Sequence, residues 1–176
     1  PYAPFFAFAF QPFLWFSPPA VTFIHTALHI VAYGLLYVVW GRLFGKLRLA
    51  HAQTMLAWTL PVWLLFTAFW GDLSYMNIYL MMTLIGSLFI EAVIDERLGP
   101  AVLWLSIILQ IKPHWAFAAA VPLLLGRYRF FLKMIGASLV AYAAVVGGLA
   151  AVAGPAYIGA QTADYVEFLG RLSRDF

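Results

Sequence analysis

Apolar positions fall in long blocks along this chain, without the strict alternation of strands or the narrow stripe of a soluble helix. Residues 20–40, 52–70 and 134–153 contain no Asp, Glu, Lys or Arg, and residues 76–94 contain only Glu91. Each block has about the ~20 residues that a helix needs to cross a ~30 Å hydrocarbon core. Charged residues gather between the blocks: Arg42, Lys46 and Arg48; Asp72 in Gly71-Asp72-Leu73-Ser74-Tyr75; Asp95-Glu96-Arg97; Arg127, Arg129 and Lys133. The pattern predicts an all-α, polytopic helical membrane protein. Pro61, near the middle of the second block, predicts a kink there.

Three segments depart from the simple span. Residues 1–19 carry Pro1, Pro4, Pro12, Pro18 and Pro19 among aromatic residues and are too short in apolar run to cross, so they are expected to be interfacial or re-entrant. Residues 100–126 are broken at Lys112-Pro113-His114 into halves of about a dozen residues, each ~18 Å as a helix, which predicts a broken hairpin of short helices. Residues 154–176 place Tyr165, Phe168, Leu169 and Leu172 on one helical face and most of their charges elsewhere, as suits a helix lying on the outer surface. Of the ten basic residues, seven fall in the loops at 42–48, 97 and 127–133, which assigns those loops to the cytoplasmic side and Asp72 to the other. The chain reads as one transmembrane domain and, starting at Pro1 and ending just past an amphipathic stretch, as a fragment.

Composition agrees. Hydrophobic residues make up 65% of the 176 and charged residues 10%, with a mean hydropathy of +0.91, where a soluble domain is about half apolar and a quarter charged. The net charge of +3 reflects clustered loop residues and predicts membrane lipids as partners and no nucleic acid. Cysteine is absent, which excludes disulfides, thiolate metal sites and thiol nucleophiles. No phosphate-cradling glycine loop, dinucleotide fingerprint or nucleophile elbow occurs, and no cofactor or metal is expected.

Ionisable groups at membrane depth are costly and mark candidate sites. Lys112 sits where two apolar half-helices meet, followed by Pro113 and His114. A cation there, next to a helix start, suits a phosphate or carboxylate; the plainer alternative is a lysine that snorkels to headgroups. Asp72 stands at the mouth of a span with Asn77 five residues on. They could share an outward cavity in which the carboxylate orients sugar hydroxyls, binds a metal or acts as a base, or they could form only a polar turn with Asn77 as a helix cap. His25 and His29 share a helix face at metal-ligand spacing. With no third ligand in view, interhelical hydrogen bonding is the expected role. Glu91, one turn from Asp95, is expected to reach water at the end of its helix.

Several of these features resemble one family. Tyr2-Ala3-Pro4-Phe5 with Pro12 is similar to the tyrosine-proline opening of a membrane segment in GT-C glycosyltransferases of the polyprenol-phosphate-mannose-dependent type, glycosyltransferase family 87. Gly71-Asp72 with Asn77 resembles its Gly-Gln-x-Asn element, with Asp in place of Gln and a longer spacing. Lys112-Pro113, a Leu-rich run and Arg127-Tyr128-Arg129 resemble its Lys-Pro segment before a basic turn. The resemblance implies a GT-C-like fold. It also implies transfer of a sugar, mannose in that donor type, from a polyprenyl-phosphate carrier to a lipid or glycan acceptor at the outer face of a bacterial plasma membrane. It further implies a catalytic base in an outer loop upstream of Pro1, with Lys112 and His114 on the departing lipid phosphate and Asp72 and Asn77 among the substrate-binding residues. The alternatives are a non-catalytic subunit packed against other membrane subunits, and a transporter with its substrate at the broken helix.

Overall fold

The computed structural model describes residues 4–172; Tyr2 and Ala3 of the opening motif, and residues 173–176 with Arg174, lie outside the described residues. The described chain is helical, with no strand, and it divides into two compact units, residues 16–97 and residues 1–15 with 98–176.

In the unit of residues 16–97, Pro18 and Pro19 occupy the first turn of a long helix, α2 (Pro18–Lys46), where a missing N–H costs nothing. A short helix, α1 (Pro4–Phe10), precedes it in the chain. The 29 residues of α2 make a rod of about 44 Å, longer than residues 20–40, so Arg42 and Lys46 are helical and one turn apart instead of lying in a loop. The chain then returns through α3 (Ala50–Trp58), α4 (Leu60–Leu64) and α5 (Thr67–Ser74). This return is sharply bent: α3 and the following pair meet at 59°. The bend falls at Thr59, just ahead of Pro61, whose ring and absent N–H prevent α3 from running on; a second break at Phe66 follows, with extended backbone. The turn after α5 carries a left-handed residue, Met76 (φ 51°), and closes with the Asn77 N–H on the Asp72 carbonyl at 2.9 Å and the Met76 N–H on that of Leu73 at 3.2 Å. From there α6 (Tyr79–Ile94) crosses back.

α2 and α6 are parallel neighbours. Trp40 Nε1–H donates to Ser87 Oγ (3.0 Å), Arg42 pairs with Glu91 (2.8 Å) and Lys46 with Asp95 (2.5 Å), at sequence separations of 47, 49 and 49. A near-constant difference, not a constant sum, is the register of helices running the same way. Their C-terminal ends therefore share a side, and α3–α5 must carry the chain back between them. Leu36, Val39 and Leu43 of α2 and Met82, Phe89, Ala92 and Val93 of α6 are buried. Phe23, Leu28, Val31, Leu35 and Val38 are exposed, an apolar outer surface that needs lipid as its solvent.

In the other unit, α7 (Leu98–Ile111) ends because Pro113 cannot continue it and pushes Lys112 out of helical geometry (φ −136°, ψ 84°). The Lys112 N–H still bonds the Ile108 carbonyl, and its own carbonyl takes the Trp115 N–H, both at 2.9 Å. A 3-10 segment (Pro113–Ala120) and α8 (Val121–Leu124) follow, and Gly126 (φ 70°) turns the chain into α9 (Tyr128–Ala153), which packs on α7. α9 begins six residues before the apolar block at 134, so Arg129 and Lys133 ride on its first turns. Gly154 (φ 88°) then gives α10 (Pro155–Leu172). Tyr165 of α10 is buried, Asp164 and Glu167 are exposed, and Arg171 pairs with Glu167 at 2.5 Å; the side chains of Leu169 and Leu172 lie outside the described residues. Among the described residues two helices, α2 and α9, are long and apolar enough to cross a membrane, and a third span results if the bent pair counts as one.

Candidate functional site

Residues 16–97 carry two polar clusters along α2, one around His29 inside the helix and one at its C-terminal end, and they are built differently. At the first, Asp72 Oδ2 accepts the backbone N–H of Leu80 (2.9 Å) and lies 3.3 Å from His29 Nε2. Leu80 is in the first turn of α6. The residue preceding that helix, Ile78, offers no side-chain cap, so a carboxylate from the preceding helix satisfies an orphan N–H and sits at the positive end of the helix dipole. The cap at this helix start is thus Asp72, and not Asn77. Asn77 contributes its backbone: the carbonyl accepts Nε2–H of His25 (3.1 Å). His29 is fully buried, its Nδ1 is 3.1 Å from the His25 carbonyl, and the two imidazoles lie 3.9 Å apart. The His pair therefore ties α2 to the α5–α6 turn by interhelical hydrogen bonds, the role expected of two histidines with no third metal ligand in view.

Beside this tie lies a cavity of about 690 Å³, lined by Asp72, Gly71 and Asn77 and by the rings of Tyr33, Trp40, Trp63, Phe66 and Phe69, with Thr59, Tyr79 and Thr83 among the remaining lining residues. The volume lies within the ~300–1,000 Å³ typical of ligand sites, as does the composition of apolar walls with few polar groups. The walls are ordered by ring packing: Tyr33 stacks on Phe69 (4.2 Å) and on Trp63 (5.0 Å), and Trp63 meets Trp40 edge-on (5.4 Å). The Tyr33 hydroxyl donates to the Trp63 carbonyl, a backbone acceptor in the bent segment. The bends around Thr59 and Phe66 are what open this space, since a straight helix would run alongside α2 and α6 and close it.

At the C-terminal end of α2, Arg42 makes a two-pronged bond to Glu91 (2.8 Å for both contacts), and Lys46 reaches both Glu91 (3.2 Å) and Asp95 (2.5 Å). Glu91 does not simply end in water: its side chain is 13% exposed and tied to two cations. The sequence offered a signal for this. Two basic and two acidic residues, each pair spaced by four, match once α2 is continued past Trp40.

Among the sequence-derived candidates, Asp72 and Asn77 line one cavity. Lys112 belongs to the other unit, where its side chain is buried, 5% exposed, at the end of α7. The His114 side chain lies outside the described residues. Among the described residues no group of three His, Asp or Glu side chains is placed to hold a metal. The part of the site that sequence reasoning missed is the partnership of His29 with Asp72, which are 43 residues apart. His25 and His29 were visible as a pair, but nothing in a single sequence says which carboxylate a buried histidine meets.

A family model described as glycosyltransferase family 87 matches residues 1–175. No curated protein and no solved structure matches the chain.

Proposed function

Because the chain belongs to glycosyltransferase family 87, and is thereby a membrane glycosyltransferase, we propose that it moves a sugar, mannose first among the candidates, from a polyprenyl-phosphate carrier to a lipid or glycan acceptor. The observation that carries this reading is the cavity beside Asp72. A long apolar chain ending in a hydroxyl-rich head needs an aromatic-walled slot with a few polar groups at one end, and Tyr33, Trp63 and Phe69 with Asp72 and Asn77 supply that.

The transferred sugar leaves a phosphate behind, so the reaction gains most from groups that stabilise negative charge on the leaving oxygen. Lys112 is assigned that role, with His114 beside it in sequence. It is a cation held at the break between α7 and the 3-10 segment, and burial there is costly unless an anion or another partner meets it. Asp72 and Asn77 are assigned to hydroxyls of the sugar or acceptor. The acceptor's proton goes to a carboxylate upstream of Pro1, as the family resemblance implies. Asp72 faces the outer side of a bacterial plasma membrane in this reading, because the basic residues of Arg42–Arg48 and Arg127–Lys133 are retained inside.

The test is transfer of labelled mannose from mannosyl polyprenyl phosphate by the full-length protein in bilayers, comparing wild type with Lys112→Met. The methionine keeps most of the apolar stem and removes the charge. Loss of a charge-assisted contact to a buried anion predicts a fall in rate of roughly 30- to 1000-fold with normal insertion. An unchanged rate would remove Lys112 from the chemistry, and no transfer by the wild type from any polyprenyl-phosphate sugar would move the protein to the reading of a structural membrane subunit.

A further inference from the structure

The hydrogen bonds around His29 fix how many protons the site holds. Both ring nitrogens face oxygens: Nδ1 the His25 carbonyl at 3.1 Å, Nε2 the Asp72 carboxyl oxygen Oδ2 at 3.3 Å. The carbonyl can only accept, so Nδ1 carries a proton. A second proton must then lie between Nε2 and Oδ2, on one or the other, because two lone pairs would otherwise face each other inside a fully buried site. His29 and Asp72 together therefore hold one proton more than a neutral imidazole and a free carboxylate. The pair has no net charge, which is the form that a site at membrane depth can bear. His25 asks for no such extra proton: its Nε2–H donates to the Asn77 carbonyl, and its buried Nδ1 faces no hydrogen-bond partner that a further proton could serve. The groups facing His29 are His25 from its own helix, Asp72 from α5 and, through Asp72, the backbone N–H of Leu80 from α6.

Oδ2 is thus occupied twice, by His29 and by Leu80 N–H, and cannot swing away. The carboxyl group is 9% exposed and lines the cavity, so its remaining acceptor capacity is presented there in one orientation. We propose that His29 is a positioning residue: anchored by the His25 carbonyl, it holds Asp72, within a pair of no net charge, as a fixed acceptor for a hydroxyl of a saccharide whose apolar tail occupies the cavity. This rests on the reading above that Asp72 meets substrate, and it adds the group that aims Asp72 and the ligand class, an amphiphile with a hydroxyl-bearing head.

The experiment has two arms on the full-length protein in lipid nanodiscs. In the first, nitrogen-15 NMR of histidine-labelled wild-type protein reports the His29 ring and needs no functional variant. The expected result is a protonated Nδ1 and an Nε2 resonance that moves on Asp72→Asn. A bare Nδ1, or an Nε2 signal indifferent to residue 72, would overturn the proton count and with it the positioning role. In the second, octyl α-mannoside binding, read by tryptophan fluorescence below its micelle concentration, is compared in wild type, Asp72→Asn and His29→Gln. Both variants are expected to weaken binding by about tenfold, the effect of one misaligned hydrogen bond, while octane, which lacks hydroxyls, competes equally with all three. If Asp72→Asn weakens binding and His29→Gln does not, the positioning role fails and the assignment of Asp72 stands. If neither variant changes binding, Asp72 does not meet the saccharide, and both fall.

Discussion

The two polar clusters on α2, around His29 and at the Arg42–Lys46 end, use the same ingredients, a carboxylate from another helix and a nitrogen base on α2, to opposite effect. At the Arg42–Lys46 end, two cations meet two anions, Arg42 is 48% exposed and Lys46 31%, and none of the four charged side chains lines the cavity. At the His29 cluster, both partners are buried and the pair stays neutral by sharing a proton. It borders a cavity of about 690 Å³. His29 and Arg42 are thirteen residues apart, about 20 Å along the helix, so the two clusters are well separated on one rod. The difference separates a strap from a site. Permanently charged groups hold helices together where water can reach them, whereas a neutral, aimed polar group is what a ligand can find inside an apolar slot.

The comparison breaks first at Asp72. Asp72→Leu removes the acceptor for Leu80 N–H and leaves His29 Nε2 buried without its partner, so unfolding in mild detergent should become easier by about 2–4 kcal/mol. Sugar transfer should fall further than the loss of folded protein accounts for. Equal losses of folded protein and of activity would make Asp72 another strap. Glu91→Gln tests the other cluster with a smaller effect. Because Arg42 and Lys46 are partly solvated, breaking their shared anion should cost about 1–2 kcal/mol in the same unfolding assay, with transfer per folded molecule unchanged. A specific loss of activity there would contradict the division of labour between the clusters.

Much of this architecture is legible in the sequence, because lipid imposes a simple rule: apolar blocks of sufficient length become helices, and charges collect at their ends. The break at Lys112-Pro113 follows equally directly, from a ring that lacks an N–H and restricts the residue before it. Helix limits were less legible. α2 runs to Lys46 and α9 starts at Tyr128, since basic residues are good helix formers and a helix need not stop where hydrocarbon does. The return segment also departs from expectation. Pro61 announces a bend, but the second break at Phe66 carries no proline or glycine, and it arises from how the segment packs, not from local chemistry. In the site, Asp72 and Asn77 were readable as polar residues at a span's mouth. That Asp72 caps α6, and that His29 completes it, depends on contacts across 43 residues, which only the packing of α2 against the α5–α6 turn determines.

Photo-crosslinking shows whether the ring-lined cavity beside Asp72 receives the lipid chain of a substrate, as proposed above. A mannosyl polyprenyl phosphate bearing a diazirine in its first isoprene units, activated with the full-length protein in bilayers, should leave adducts on Tyr33, Trp63, Phe66 or Phe69. Excess unlabelled donor should abolish them. Adducts confined to outward-facing residues such as Phe23, Leu35 or Val38, unaffected by competition, would show that the carrier meets this protein only as bulk lipid and would contradict the account.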